Sequence, residues 1–187
     1  LTSDIDMSGY AAVETKAGDK FWEPVEISHK TFVFDGNGHS ISNLPDMFVR
    51  YTIWGDLTIK NLTLNNPKIA CDLEDKTNKG VGAFFGFSDA FNKILLENCH
   101  VKGGEIAGGH WTGGLIGMAG GYNGNDGPVF MNLTIKNCSV TDSEIAGKGS
   151  AGALIGHGSC SAWTNVVIEN TTAEGNTITS TGSSANK

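Results

Sequence analysis

The stretch LTIKNCSVTDSEIA, Leu133 to Ala146, has three near copies in the chain: LTIKNLTLNNPKIA from Leu57, ILLENCHVKGGEIA from Ile94 and VVIENTTAEGNTIT from Val166. The aligned Ile59, Leu96, Ile135 and Ile168 stand 37, 39 and 33 residues apart. A repeat of that period, with strand chemistry in each copy, marks a solenoid, because one such unit buries its apolar face only by stacking on the next. No window sustains an apolar period of 3.6 residues, so helices are not expected.

Parity inside a copy predicts a corner. Ile135 and Val140 are five residues apart and cannot both face inward on one straight strand. A bend must fall between them, and Asn137 sits there, matched by Asn61, Asn98 and Asn170. Asparagine tolerates turn conformations, and stacked amides hydrogen-bond from coil to coil, so an inward-pointing asparagine ladder is expected. Leu62/Leu64, Cys99/Val101 and Cys138/Val140 then resume the inward stack.

Each repeat goes on to a second short strand, ending in Ile69-Ala70, Ile106-Ala107, Ile145-Ala146 and Ile178-Thr179. Glycine-flanked apolar tetrads follow: GAFFG from Gly82, GGLIG from Gly113 and GALIG from Gly152. Three short strands per coil, separated by polar loops, suit a triangular coil. The expected fold is therefore all-β, a right-handed parallel β-helix of about five coils.

At 187 residues the chain is one domain by size. Residues 1–44 form an N-terminal lead-in and first rung, with the turn Asp35-Gly36-Asn37-Gly38 between Phe32 and Leu44. Residues 45–179 are the repeating coils and 180–187 a polar tail. The polar stretches 71–79 and 120–128 are expected to project as insertions. No amphipathic cap follows the last repeat, which predicts further coils or another domain in the parent protein.

Composition narrows the partners. The formal charge is -7, and the 13 Lys and Arg residues are scattered, which argues against a nucleic-acid surface. No run is apolar enough to span a bilayer as a helix. Four cysteines permit three pairings. Cys99 and Cys138 share a slot in consecutive repeats, where a pile of buried free thiols is expected ahead of a bridge.

Several phrases together resemble the GLUG-motif surface proteins of bacteria. These are LTSDIDMSGY, Trp22-x-Pro24-Val25, FDGNGHSISNL from Phe34 to Leu44, the repeated Ile-x-Asn-Cys, and Gly-x-Leu-Ile-Gly. The resemblance covers essentially the whole chain. Such proteins are common in gut Bacteroidetes and Firmicutes and occur in immunoglobulin A-cleaving metallopeptidases. The resemblance implies a right-handed parallel β-helix that is secreted or anchored at the cell surface. In such peptidases, the resemblance implies, the repeat region accompanies the catalytic domain and is not itself that domain. The HExxH zinc motif of such a peptidase is absent from the sequence.

The columns Lys60/Glu97/Lys136/Glu169 and Lys68/Glu105/Glu144 gather charge on equivalent slots. The first alternates in sign and reads as a cross-coil ladder on a solvated face. In the second, Glu105 and Glu144 would stand about 5 Å apart on adjacent strands. That matches the carboxyl spacing of a retaining glycosidase, about 5 to 5.5 Å, although a surface column explains it more simply. Calcium is the one cofactor the loops would suit, through Asp72, Glu74 and Asp75, or through Asn123, Asn125 and Asp126. Neither loop follows an EF-hand pattern. His157 and Cys160 have a His-x-x-Cys spacing, with His110 at a comparable point one coil earlier, but zinc usually takes four ligands.

Aromatic residues in loops are the candidate ligand contacts: Trp111, Trp163 and Tyr122, with His110 beside Trp111. Aromatic faces on a solenoid flank stack on sugar rings or anchor a protein partner, or they cover the seam between loop and coil. Trp22 and Trp54 read as cap and core residues. The expected function is a non-catalytic surface module, adhesin-like or carbohydrate-binding, or a spacer presenting other domains. The alternatives are a polysaccharide lyase or glycoside hydrolase of β-helix type, and an accessory region of a secreted immunoglobulin-cleaving peptidase.

Overall fold

The computed structural model describes residues 1–12, 20–71, 80–120, 131–158 and 163–181. The described chain is all-β, and every strand pair in it is parallel. It winds as a β-solenoid with three stacked sheets. Phe85 pairs with Val49, Ile116 with Phe85, and Ile155 with Ile116, so one column is crossed four times. The solenoid has about four turns rather than the five expected. The expected first coil is a partial rung: Val25–Ser28, Thr31–Asp35 and Ser40–Ser42 pair with the first sheet alone.

The first sheet carries the repeated phrase, in strands that include Val49–Asn65, Phe85–Lys102, Met131–Lys136 and Trp163–Glu169. Val49–Asn65 runs 17 residues but is not straight. Asn61 has φ 54°, and Asn98, Asn137 and Asn170 follow at 52°, 53° and 48°. The left-handed conformation turns the strand, as parity required, and asparagine bears it better than other side chains. Ile135, Cys138 and Val140 are consequently all buried.

Two asparagine pairs of the ladder form, with a further link to Asp35. Asn98 Nδ2 donates to Asn61 Oδ1 at 2.9 Å, Asn170 Nδ2 to Asn137 Oδ1 at 3.2 Å, and Asn61 Nδ2 to Asp35 Oδ1 at 3.0 Å. Its position differs from expectation. The first three asparagines are half-buried and Asn170 is exposed. A side chain on a left-handed corner projects along the outside of the bend, so the ladder lies on the rim of the coil and not within it.

The second sheet comprises Lys68–Ala70, Glu105–Ala107, Glu144–Gly147 and Thr177–Ser180, stacked in register through Ile69, Ile106, Ile145 and Ile178. The third comprises Gly80–Gly82, Trp111–Gly113 and Ser150–Gly152. The apolar tetrads are not its strands, contrary to the sequence reading. Each is a corner, in which the flanking residues pass from the third sheet to the first and the apolar pair between them, such as Phe84 and Phe85 or Leu115 and Ile116, drops into the core. After the corner the two sheets lie back to back at backbone distance. A Cβ on Gly117 would strike Val81 N, and one on Gly156 would stand 2.5 Å from Thr112 N. Only hydrogen fits between such strands, which is why glycine recurs there.

The core is one column of stacked aliphatic rows: Leu57, Ile94 and Leu133, then Ile59, Leu96 and Ile135, all 0% exposed. Each such side chain contributes about 1.5–3 kcal/mol when fully removed from water. Cys71, Cys99 and Cys138 are free thiols, the last two buried as the sequence indicated. Hydrogen bonding to Cys138 and burial push the Cys99 thiol above its ordinary range. Trp22 stacks on Phe48 at 5.8 Å and donates its indole N–H to Met47 O at 2.9 Å, closing the N-terminal end.

Candidate functional site

Two features stand on the surface of this scaffold. The first is a groove of about 580 Å³ along the second sheet, lined by Asn66, Lys68, Ala70, Gly104, Glu105, Asp142 and Glu144. Its charged column is in register as expected, Lys68 beside Glu105 and Glu105 beside Glu144. Alternation along these short strands explains the placement. Ile69, Ile106 and Ile145 point into the core, so their neighbours Lys68, Glu105 and Glu144 must point out, and all three are exposed.

A second left-handed column builds the groove's edge, and the sequence reading missed it. Asn43, Asn66, Gly103, Asp142 and Gly175 follow strands paired in register, with φ of 57°, 47°, 66°, 54° and 66°. The Asn66 amide lies where a Gly103 side chain would stand, and the Asp142 carboxylate where a Gly175 side chain would stand. The signal was present: an Asn, Asp or Gly falls five residues after each ladder asparagine. The result is a row of carboxylate and amide acceptors beside one ammonium, with coils spaced about 4.8 Å apart.

The second feature is an aromatic cluster that joins Trp111 on the third sheet to His157 on the first. Trp111 stacks on His157, centroids 4.8 Å apart and planes 19° from parallel, while His110 meets its edge at 5.6 Å. Trp111 pairs along the sheet with Gly80 and Ser150, whose small size leaves room for the indole. Trp111 and His157 are half-buried and His110 is exposed. The structure thus brings together His110 and Trp111 from the candidate set and adds His157, which sequence reading considered only as a weak metal ligand. Packing occupies one face of the indole.

Tyr122, Asp72, Glu74, Asp75, Asn123, Asn125, Asp126 and Cys160 lie outside the described residues, as does the side chain of Trp163. Among the described residues no group of three or more His, Cys, Asp or Glu could hold a metal ion, and no helix is long and apolar enough to cross a membrane. The other charge column is also in register, Lys60 beside Glu97, Glu97 beside Lys136 and Lys136 beside Glu169. Lys60 Nζ lies 3.3 Å from Asp35 Oδ2.

One buried acid stands apart from both features. Asp46 accepts the Met47 N–H at 2.7 Å, faces Arg50 Nη2 at 3.3 Å and accepts the Cys71 thiol at 3.6 Å. Burial pushes its carboxyl above the ordinary range. Burial, with the Asp46 carboxylate beside it, pushes Cys71 up to about 12. A thiol held there is protonated at neutral pH and is no nucleophile. No family model, curated protein or solved structure matches the chain.

Proposed function

We propose that this chain is a non-catalytic recognition module of a secreted or cell-surface protein, and that it binds glycan along the second sheet. The observation that carries the reading is the in-register column Lys68, Glu105 and Glu144 at the floor of an open groove. Carboxylates and amides at strand spacing accept hydrogen bonds from successive hydroxyls, and the ammonium donates one. The sheets beneath are fixed by glycine contacts and buried aliphatic rows, so the polar groups are held in place before a ligand arrives, which lowers the ordering cost of binding. The resemblance to GLUG-motif proteins supports the extracellular setting, as a free-standing adhesin-like module, a spacer or a region accompanying a peptidase.

A catalytic reading rests on Glu105 and Glu144, whose strand spacing suits a retaining pair. Both are exposed on the same open face, without the walls that exclude water from a reacting centre. The test is a glycan and host-matrix array probed with the parent protein, Glu105→Gln/Glu144→Gln, and Trp111→Ala. Binding by the parent that is lost in the double variant supports the groove. Loss in Trp111→Ala alone would move the site to the third sheet, and release of new reducing ends from a bound glycan would make the chain an enzyme.

A further inference from the structure

The floor and the edge of the groove repeat with different periods. On the floor, Ala70, Ala107 and Ala146 pair in the same register as Lys68, Glu105 and Glu144. They stand two residues further along each strand, so their methyls project on the same side as the charged column. Ala70 is exposed, and Ala107 and Ala146 are half-buried. Each coil thus offers one polar group beside one methyl, with coils about 4.8 Å apart. On the edge, the Asn66 side chain leans over Gly103 and the Asp142 side chain over Gly175, each one coil toward the C-terminal end. The strands before Gly103, Asp142 and Gly175 are paired in register, so Gly103 and Gly175 are two coils apart. The edge acceptors therefore recur at about 10 Å, twice the coil spacing.

We propose, resting on the second sheet as the recognition face, that the ligand is a linear, neutral, β-1,4-linked polysaccharide lying along the solenoid axis with one ring per coil. Such a chain in its extended form advances by about one coil per ring, and successive rings are turned over. One flank of the chain presents the same ring edge at every second ring, which is the period of Asn66 and Asp142. The floor meets every ring. The axial C–H groups of each ring lie on an alanine methyl, and its hydroxyls donate to a carboxylate or accept from the ammonium. An α-1,4-linked chain of the same sugar curves away from a straight row of groups. The lining carries three carboxylates, Glu105, Asp142 and Glu144, against the single ammonium of Lys68. Like charges set against each other are costly, so a polyuronate is rejected.

The test is calorimetric titration of the protein with β-1,4-linked oligomers of glucose, mannose, xylose and N-acetylglucosamine, from one ring to six, beside α-1,4-linked glucose oligomers and oligogalacturonate. At least one β-1,4 series is expected to gain about threefold or more in affinity with each ring up to three or four, as successive coils are engaged, and then to level off. The α-linked chains and oligogalacturonate are expected to bind about tenfold or more weakly at equal length. No binding by any β-1,4 series, affinity independent of length, or equal binding by the α-linked chains overturns the proposal. If a glycan of another linkage binds instead and is lost in Glu105→Gln/Glu144→Gln, the second sheet stands as the recognition face and the β-1,4 assignment falls. If the β-1,4 oligomers bind that double variant as tightly as the parent, the second sheet falls with it.

Discussion

Asn98 Nδ2 donates to Asn61 Oδ1 at 2.9 Å, across two coils whose corners have the same left-handed backbone. The residue thus performs two tasks, holding the bend and tying it to its neighbour. Substitutions at Asn98 separate them. Asn98→Leu should cost about 1–2 kcal/mol for the left-handed conformation and about 0.5–1.5 kcal/mol more for the lost hydrogen bond. Asn98→Gly keeps the backbone free and should lose only the second amount. Urea unfolding of both variants checks this, and equal losses would show that the backbone carries no part of the effect.

Gly117 and Gly9 make a second contrast. A Cβ on Gly117 would meet the Val81 N, Gly80 C and Gly86 O backbone atoms, whereas nothing stands within 4 Å of one on Gly9. Gly117→Ala should therefore destabilise by about 3 kcal/mol or more, since backbone of a neighbouring coil must move. Gly9→Ala should leave the melting midpoint within experimental error. A tolerated Gly117→Ala would mean that the two sheets are not in backbone contact.

The N-terminal rung predicts an acid-sensitive edge. Asn61, the Asn37 N–H and Lys60 hold the Asp35 carboxyl down to about 2, against 3.8 ordinarily. The Ser40 N–H lowers Asp4, and Asn43 with Ser8 lowers Asp6. For carboxyls depressed on folding, stability is present above the ordinary value and is lost as pH falls through the folded one. The melting temperature should thus fall between about pH 4 and about pH 2. Asp35→Asn should flatten that slope, as thermal melts across the range would show; an unchanged slope would detach Asp35 from it.

Cys71 should resist a thiol reagent at pH 8 in the folded protein, because burial and Asp46 keep it protonated at a pKa of about 12. Cys99 and Cys138 should resist as well, being buried. Denaturation without reductant should then release four reactive thiols. Rapid labelling of folded protein at Cys71, read by peptide mapping, would contradict this environment.

Much of the fold was legible because a solenoid repeats its constraints. The five-residue step from Ile135 to Val140 demanded a bend, and Asn137 supplies it at φ 53°. Other corners were not legible. Trp54, within Val49–Asn65, and His29, just past Val25–Ser28, are also left-handed, both at φ 54°, and nothing in their repeat position signals a turn. The tetrads misled because a glycine-flanked apolar run looks like a buried strand. Its role as a corner depends on sheet contact that lies outside the run itself. At the surface, Glu105 and Glu144 were placed correctly by their common slot. The stack of Trp111 on His157 joins residues 46 positions apart through the coil pitch, which no local pattern reveals.

The most direct test of the account is a titration of the protein with a glycan chosen from the array, comparing the parent with Glu105→Gln/Glu144→Gln and following the backbone amides of Ile106 and Ile145 by NMR. Saturable shifts are expected at those two amides in the parent, with an affinity at least tenfold weaker in a double variant that melts at the same temperature. Shifts confined to Trp111 and His157, or undiminished affinity in the double variant, would contradict the assignment of the second sheet as the recognition face.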